Sequence, residues 1–246
     1  MNSTKQRETP EEYENYLTDH LSDAYGPDVE SASRIKRAYH SSNILPLVMY
    51  QKEAPILEIG PGYGEIIGLL RNAGYTNVSS IDISPEVVTH IRKLFGDTSC
   101  DHAVDVSEYL ADKPAKYSCI ILLDVLEHIP REQVISMLRS VYYSLNEGGI
   151  VIIQTCNASS PFGENIYFSD FTHQWNFTEF SLRQVLSGAG FKDSIIQGYK
   201  FPKGFIGTIR TAIRKILHLL YYSGAVINGI VRVRVLDPNL VAIGKK

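Results

Sequence analysis

The stretch ILEIGPGYGEIIGLL, residues 56–70, constrains the fold of this chain more than any other. A short apolar run precedes three glycines at alternate positions, and an apolar helical pattern follows them. Glycine permits a tight turn between a strand and a helix, and it lets a ligand approach the backbone closely. The stretch therefore predicts a βα turn at which a ligand binds, formed by Gly60, Gly62 and Gly64.

Units of this kind recur along the chain. Short apolar runs alternate with helical patterns of about 10–15 residues, which is typical of βαβ units in a parallel sheet. The runs are apolar without alternation, which indicates strands covered by helices on both faces. We therefore predict an α/β fold with strands within residues 54–60, 77–84, 100–106, 117–129, 150–156, 192–199 and 239–246.

Composition divides the 246 residues into three parts. Residues 1–30 form an acidic lead-in that we expect to be loosely held, residues 31–200 with 238–246 carry the α/β pattern, and residues 201–237 interrupt it. The net charge of −3 gives no electrostatic argument for a nucleic-acid partner. The polar N-terminus and the lack of an apolar run of about 18 residues predict a cytoplasmic protein without a membrane span. Three widely spaced cysteines predict buried thiols.

The glycine loop does not fit two phosphate-binding motifs. It has no lysine, unlike a nucleoside-triphosphate loop, and its G-x-G-x-G spacing differs from the G-x-G-x-x-G of nicotinamide dehydrogenases. Acids follow the next three strands: Asp82, Asp105 and Asp124. Each is also typical of a helix N-cap, but ligands bind where the ends of parallel strands meet. An acid after the second strand is suited to accept hydrogen bonds from ribose hydroxyls.

The motifs ILEIGPGYGEIIGLL, IDIS, HAVDV and IILLDVLEHI together resemble those of class I S-adenosylmethionine-dependent methyltransferases. The resemblance covers residues 35–199 and the final strand. It implies a Rossmann-like seven-stranded methyltransferase sheet with an antiparallel last strand, and S-adenosylmethionine as the cofactor. The glycines would contact its methionine part, Asp82 its ribose, and Ile83, Asp105 and the Val106 backbone its adenine. The cofactor-binding set so implied is Glu58, Gly60, Gly62, Gly64, Asp82, Ile83, Asp105, Val106 and Leu123.

The motif DVLEHIP, residues 124–130, offers groups for catalysis at the end of the fourth strand. Asp124, Glu127 and His128 are expected to line the acceptor site. They resemble the E-x-x-E-H of ubiquinone-pathway O-methyltransferases and small-RNA 2′-O-methyltransferases, whose carboxylates and histidine bind a divalent cation. Here the first acid is Asp, one methylene shorter. A Mg²⁺ or Mn²⁺ site of Asp124, Glu127, His128 and His173 is one alternative, and a structural role of Glu127 and His128 at the next helix is another.

Residues 165–186 follow the fifth strand and combine His173 with many aromatic side chains. An unperturbed histidine has a pKa of about 6.5, so we predict that His173 is the general base. The aromatics are interpreted as a lid or as a platform for a ring. The run D-x-T-H…F-T…S-L…A-G-F resembles methyltransferases of bacterial polysaccharide and lipopolysaccharide clusters, which implies O-methylation of a sugar hydroxyl of a surface glycan. The alternatives are O- or N-methylation of a quinone-like or natural-product acceptor, and a partner protein that binds the cofactor without catalysis.

Residues 205–232 form a basic amphipathic helical pattern. Apolar residues recur on one face, whereas Arg210, Arg214 and His218 fall on another, and residues 201–236 contain no acid. This pattern is typical of a helix on an anionic membrane surface, which would place the protein at the inner face of a membrane. The alternatives are packing of the apolar face on the protein's own core or on a second subunit.

Overall fold

The computed structural model describes residues 8–22, 29–201, 204–229 and 233–246. Its strands are β1 Ile56–Ile59, β2 Val78–Asp82, β3 Cys100–His102, β4 Tyr117–Leu123, β5 Leu145–Cys156, β6 Asp193–Gln197 and β7 Asn239–Lys245. They form one seven-stranded sheet in the order β3-β2-β1-β4-β5-β7-β6. β1 to β5 are parallel, and β7 is antiparallel to β5 and β6. The predicted seven-stranded α/β sheet is thus confirmed.

The helices begin and end at residues that favour such positions. Ser84 caps α3 by accepting a hydrogen bond from the backbone N–H of Val87, and Thr178 forms a capping box with Ser181 at the start of α7. The α-helices are α1 Val29–Asn43, α2 Glu65–Asn72, α3 Pro85–Phe95, α4 Val106–Leu110, α5 Arg131–Ser144, α6 Gly163–Tyr167, α7 Glu179–Ala189 and α8 Phe205–Ile227.

Two hydrophobic clusters cover the two faces of the sheet. Neighbouring residues of one strand point to opposite faces, so Ile120 packs with α4, α5 and α7, whereas Ile121 packs with α2 and α3. Both residues are fully buried. The three cysteines are buried free thiols, as predicted. Burial on both faces explains why the strands read as continuous apolar runs.

The insertion is a single long helix, α8, between β6 and β7. None of its described residues is buried, so its apolar face does not pack on the protein's own core. Lys203 and Arg232, which are cations near the two ends of the insertion, lie outside the described residues. Residues 1–7 and 23–28 of the acidic lead-in also lie outside them. Over the ranges that the structure describes, no helix combines the length and the apolar composition needed to cross a membrane.

The sheet order fixes where a ligand can bind. β1 lies between β2 and β4, so the connections after β1 and after β4 leave the sheet in opposite directions. A crevice opens beyond the carboxyl ends of the strands at such a reversal. The loops after β1, β2, β4 and β5 therefore meet in one place.

Candidate active site

A cavity of ≈ 1120 Å³ lies beyond the carboxyl ends of the strands. Residues from the glycine loop, from the ends of β2 and β4 and from the loop after β5 all reach it, so the topology assembles one site from distant segments. Most of the residues predicted from the sequence line this cavity. These are Glu58, Gly60, Gly62, Asp82, Ile83, Val106, Leu123, Asp124, Glu127, His128 and His173.

The glycine loop brings backbone to the cavity wall. Gly60 has a φ of +72°, and a Cβ at this position would lie 2.5 Å from Cγ2 of Val125, so a side chain is excluded on both grounds. Gly64 stays a predicted ligand contact that the structure does not test. It is not among the residues of the cavity wall, and a Cβ there would meet Ile91 and Phe95 of α3 at 2.9 and 2.8 Å. Its φ of +83° and the close approach of α3 both favour glycine at this position.

Two buried carboxylates, Glu58 and Asp82, lie in the half of the cavity beside this loop. Burial raises the pKa of Asp82 to about 7, although its Oδ1 accepts a hydrogen bond of 2.8 Å from the Ser84 N–H. Burial and the nearby Glu65 raise the pKa of Glu58 well above its usual value, and its Oε2 has no hydrogen-bond partner. These groups fit S-adenosylmethionine, whose ribose hydroxyls are donors for Asp82 and whose ammonium group complements Glu58.

Asp105 is not among the residues of the cavity wall, and its contact with adenine stays a prediction. Its Oδ1 accepts hydrogen bonds from the backbone N–H groups of Ser107 at 2.7 Å and Glu108 at 3.1 Å, so it caps α4. The wall at this point is formed by Ala103, Val104 and Val106. This part of the wall therefore consists of apolar side chains and backbone.

Asp124 has a strained backbone at the end of β4. Its φ of +55° is unusual for a residue other than glycine and occurs mainly where surrounding contacts enforce it. Both of its carboxylate oxygens accept hydrogen bonds from Nε2 of Gln154, at 2.9 and 3.0 Å. The hydroxyl of Tyr39 donates to Oε1 of the same glutamine at 2.8 Å. Asp124 is thus held in place by a side chain of β5 and one of α1.

Glu127 is part of the cavity wall and is fully buried. Its carboxylate accepts hydrogen bonds from the Thr155 hydroxyl at 2.8 Å and the Cys156 thiol at 3.5 Å. Burial and the charge of Asp124 raise its pKa to about 8. Its backbone carbonyl accepts a hydrogen bond of 2.7 Å from the N–H of Gln174, so Glu127 fastens the loop after β5 to the end of β4.

His128 and His173 lie together in the other half of the cavity, with ring centroids 4.6 Å apart. Nδ1 of His173 lies 2.7 Å from the Tyr167 carbonyl oxygen, and Nδ1 of His128 lies 2.8 Å from the Thr172 hydroxyl. That hydroxyl donates to Oδ1 of Asp170 at 2.7 Å. Burial and the neighbouring His173 lower the pKa of His128 to about 4. Asp170 belongs to the motif D-x-T-H, but the sequence does not predict its contact with Thr172.

The described N-terminal segment, residues 8–22, contributes residues to the cavity wall that the sequence did not indicate. Tyr13, Tyr16 and His20 line the cavity, and the Tyr16 hydroxyl donates to Asp170 at 3.4 Å. Residues 8–22 are fastened by Glu86 at the start of α3. Its carboxylate accepts hydrogen bonds from the backbone N–H groups of residues 17 and 18, at 2.9 and 3.2 Å, and from the hydroxyl of residue 18 at 2.6 Å. Residues 8–22 therefore form a cover over the cavity.

The four residues of the alternative metal set do not converge. Asp124 is engaged by a glutamine amide, and the Glu127 carboxylate already accepts hydrogen bonds from Thr155 and Cys156. Among the described residues, two groupings bring one potential ligand atom from each member within 4.8 Å of the others: His128 with Asp170 and His173, and Glu127 with Cys156 and His173. The predicted Mg²⁺ or Mn²⁺ set therefore does not fit this arrangement.

Comparison with known proteins supports one family. The family of methyltransferase domains matches residues 33–194. The ubiquinone biosynthesis O-methyltransferase of Xylella fastidiosa (strain 9a5c) is 26% identical over 130 residues, 50% of this chain and 52% of that protein, so the chain spans about half the length of the curated relatives it matches.

Solved structures give the same fold at low identity. A SAM-dependent methyltransferase from Archaeoglobus fulgidus has a TM-score of 0.65 and 18% identity, covering 94% of this chain and 100% of that one. An N-methyltransferase from Haemonchus contortus, in complex with phosphomonomethylethanolamine and S-adenosylhomocysteine, has a TM-score of 0.55 and 17% identity, covering 93% of this chain and 60% of that one. With a family match over most of its length, a sheet of this order and carboxylates that fit the cofactor, this chain belongs to the methyltransferase domains of the S-adenosylmethionine-dependent class.

Proposed function

We propose that this protein O-methylates a phenolic hydroxyl of a small, quinone-like acceptor, and that His173 takes the proton of that hydroxyl. One observation carries the proposal, the 2.7 Å contact between Nδ1 of His173 and the carbonyl oxygen of Tyr167. Because a carbonyl only accepts hydrogen bonds, Nδ1 of the neutral ring carries the hydrogen and Nε2 keeps a free lone pair. The ring lines the cavity, so this lone pair is the base.

The groups around His173 favour its charged form once it has taken the proton. Burial raises the pKa of Asp170, but hydrogen bonds from Thr172 outweigh this and lower it below the usual range. Asp170 is therefore ionised at neutral pH. Its carboxylate lies within 4.8 Å of a ring nitrogen of His173, and an opposite charge at such a distance stabilises an imidazolium.

His128 supports the same step by remaining neutral. Its pKa of about 4 means that it carries no charge at neutral pH, so it does not repel the proton arriving on His173. Since the Thr172 hydroxyl donates its own hydrogen to Asp170, it accepts from Nδ1 of His128. The other nitrogen, Nε2, is then an acceptor that can orient the hydroxyl of the acceptor molecule.

Bound S-adenosylmethionine supplies an electrophilic methyl group on a sulfonium. Glu58 would hold its ammonium group and Asp82 its ribose, and Gly60 leaves room for it against the backbone. The protein's remaining contribution is alignment of the hydroxyl with that methyl group, which by itself can contribute several kcal/mol.

A phenolic acceptor is favoured by proton affinity and by the cavity wall. A phenol has a pKa of about 10, as tyrosine does. This value is closer to the pKa of a histidine base than the pKa of an aliphatic alcohol is. Tyr13 and Tyr16 offer aromatic surface against which a planar ring can stack. The relative from Xylella fastidiosa is named for ubiquinone biosynthesis, which supports the same acceptor class.

A sugar hydroxyl of a surface glycan is the second candidate. Phe171 lines the cavity and its side chain is fully exposed, as is most of the neighbouring Phe168. Exposed aromatic rings at the rim of a site are suited to stack on a sugar. This observation favours an extended acceptor that reaches beyond the cavity.

The acceptor is tested with methyl-labelled S-adenosylmethionine and matched panels of catechols, hydroquinones, arylamines and nucleotide-linked sugars. We expect the label on a phenolic oxygen, identified by mass spectrometry and by the carbon chemical shift of the new methoxy group. Label on a sugar oxygen would favour the second candidate. Label on nitrogen would contradict both, because an amine acceptor of ordinary pKa does not need this base.

A further inference from the structure

The helix α8 has an inverted arrangement of polar and apolar residues. The residues that approach the body of the protein are small or polar and recur at helical spacing: Gly207, Thr211, Arg214 and His218 are partly buried. The opposite face is apolar and open. Its members and their exposed fractions are Phe205 82%, Ile209 43%, Ile213 53%, Ile216 61%, Leu220 65% and Ile227 84%, and we call this set the outward face of α8.

The contacts of α8 with the body fix this orientation. Nη1 of Arg214 lies 2.5 Å from Oδ1 of Asp237, and its guanidinium lies over the rings of Tyr199 and Phe201, at 4.9 and 4.4 Å from their centroids. Because Arg214 is engaged in this way, it is not free to bind an external anion. The outward face therefore remains exposed for as long as the pair with Asp237 is intact.

Two further cations flank the outward face. Arg210 and Lys215 lie on opposite sides of it, each roughly 110° around the helix from its centre at 100° per residue. Tyr221 and Tyr222 are also about two-fifths exposed towards the end of the helix. Apolar residues bordered by cations and tyrosines form the composition of a helix that lies in the interface of a bilayer.

We propose that α8 binds the surface of an anionic lipid bilayer, with its outward face among the acyl chains and Arg210 and Lys215 at the level of the headgroups. Charge decides between a bilayer and a second copy of this chain. A two-fold contact presents the same surface from both copies, and residues 201–236 contain no acid to pair with the cations of the other copy. Anionic headgroups supply the missing opposite charge.

This site is distinct from the cavity but joined to it. Asp237, which anchors α8, lies two residues before Asn239 of the cavity wall. The ring of Tyr199 lies 5.4 Å from that of Tyr39, which bonds to the glutamine that holds Asp124. A bilayer under α8 would therefore lie close to the site. The inference does not depend on which acceptor is methylated.

The test is co-sedimentation of the full chain with vesicles of phosphatidylcholine alone or mixed with phosphatidylglycerol. We expect the protein to pellet with the mixed vesicles, and Ile216→Glu with Leu220→Glu to lower the partition coefficient by about tenfold or more for each substitution, since each side chain loses apolar burial. Ile35→Glu, at a comparably exposed site on α1, is the matched control. Unchanged binding of S-adenosylhomocysteine verifies that the variants are folded.

Charge is tested with Lys215→Glu against Lys93→Glu, which changes net charge equally on α3. The first should weaken binding to mixed vesicles by at least about fivefold, and the second should not. As a second readout, Leu219→Cys carrying an environment-sensitive fluorophore should shift to the blue with mixed vesicles. The native thiols are buried and leave this label site-specific.

The proposal is wrong if the wild-type protein stays in the supernatant with mixed vesicles, or if the Ile216→Glu, Leu220→Glu double variant pellets as the wild type does. It is also wrong if sedimentation velocity without lipid shows a dimer that this double variant dissociates.

Discussion

We call the half of the cavity beside the glycine loop the cofactor half, and the half around His128 and His173 the acceptor half, after the ligands that we propose bind there. The cofactor half is formed by short loops directly after β1, β2 and β3, whereas the acceptor half is assembled from three segments far apart in the sequence. In the first half, backbone geometry set by the sheet does most of the positioning, as at Gly60 with its φ of +72°. In the second, side chains hold one another, as in the series from His128 through Thr172 to Asp170. We therefore expect substitutions in the two halves to affect different steps.

The substitution with the largest expected effect on turnover also distinguishes the two halves most clearly. His173→Ala should lower kcat by about 10²–10⁴, the typical loss on removing a general base, while the Kd for S-adenosylmethionine stays unchanged. Steady-state kinetics measures kcat, and calorimetry measures the Kd for S-adenosylmethionine. His90→Ala, a histidine outside the cavity wall, is the control. Turnover close to wild type in His173→Ala would mean that the acceptor half works by alignment alone.

On the cofactor side, Asp82→Ala should weaken cofactor affinity by about 100-fold or more, because two hydrogen bonds to a charged group are lost at roughly 1.5–3 kcal/mol each. At saturating cofactor, turnover should recover. Asp105→Ala is the informative partner. As a helix cap, it should cost about 1 kcal/mol of stability and leave cofactor affinity nearly unchanged, and a loss of affinity equal to that of Asp82→Ala would restore Asp105 to the binding set.

Cofactor affinity should also depend on pH, with Asp82 as the cause. Its pKa in the free protein is raised to about 7, and the ionised form is the better acceptor for ribose hydroxyls. Binding should therefore weaken as pH falls, by about tenfold between pH 8 and pH 6. Titration calorimetry over this range measures the dependence. The same slope in Asp82→Asn would assign it to another group.

The smallest effect concerns the cover formed by residues 8–22. Glu86→Gln replaces a charged acceptor by a neutral one in three hydrogen bonds, and such a change is worth about 1 kcal/mol. Hydrogen exchange at residues 17 and 18 should accelerate by roughly fivefold. Glu132→Gln, in the first turn of α5, controls for the loss of a helix-terminal charge. Equal protection in both variants would indicate that the cover is held by its aromatic side chains.

The sequence was sufficient where local pattern and topology decide the outcome. Apolar runs located β1 to β7, and the end of the second strand located Asp82 at the cavity, because parallel strands bring their carboxyl ends to one edge. Gly64 and Asp105 show the limit of this reasoning. Both have the residue type that a ligand site uses, but a helix packing against Gly64 and a helix start at Asp105 require the same residue types.

Contacts between distant segments could not be read from pattern. Tyr16 and Asp170 are 154 positions apart, and no periodicity relates them. For α8, periodicity identified which residues share a face, but it does not state which face meets the body. That choice depends on Arg214 finding Asp237, a pairing that only the folded chain reveals.

The position of β7 has a consequence for the order in which the strands can join the sheet during synthesis. β6 is at the edge of the sheet and is joined to the other strands through β7, which pairs with β5 at Cys156↔Asn239 and with β6 at Asp193↔Lys245. During synthesis, β1 to β5 can associate as they emerge, but β6 has to wait, exposed, until residues up to 245 have left the ribosome. A translational pause before residue 239 would thus leave an unpaired strand edge and a long apolar helix side by side, the kind of surface on which nascent chains aggregate.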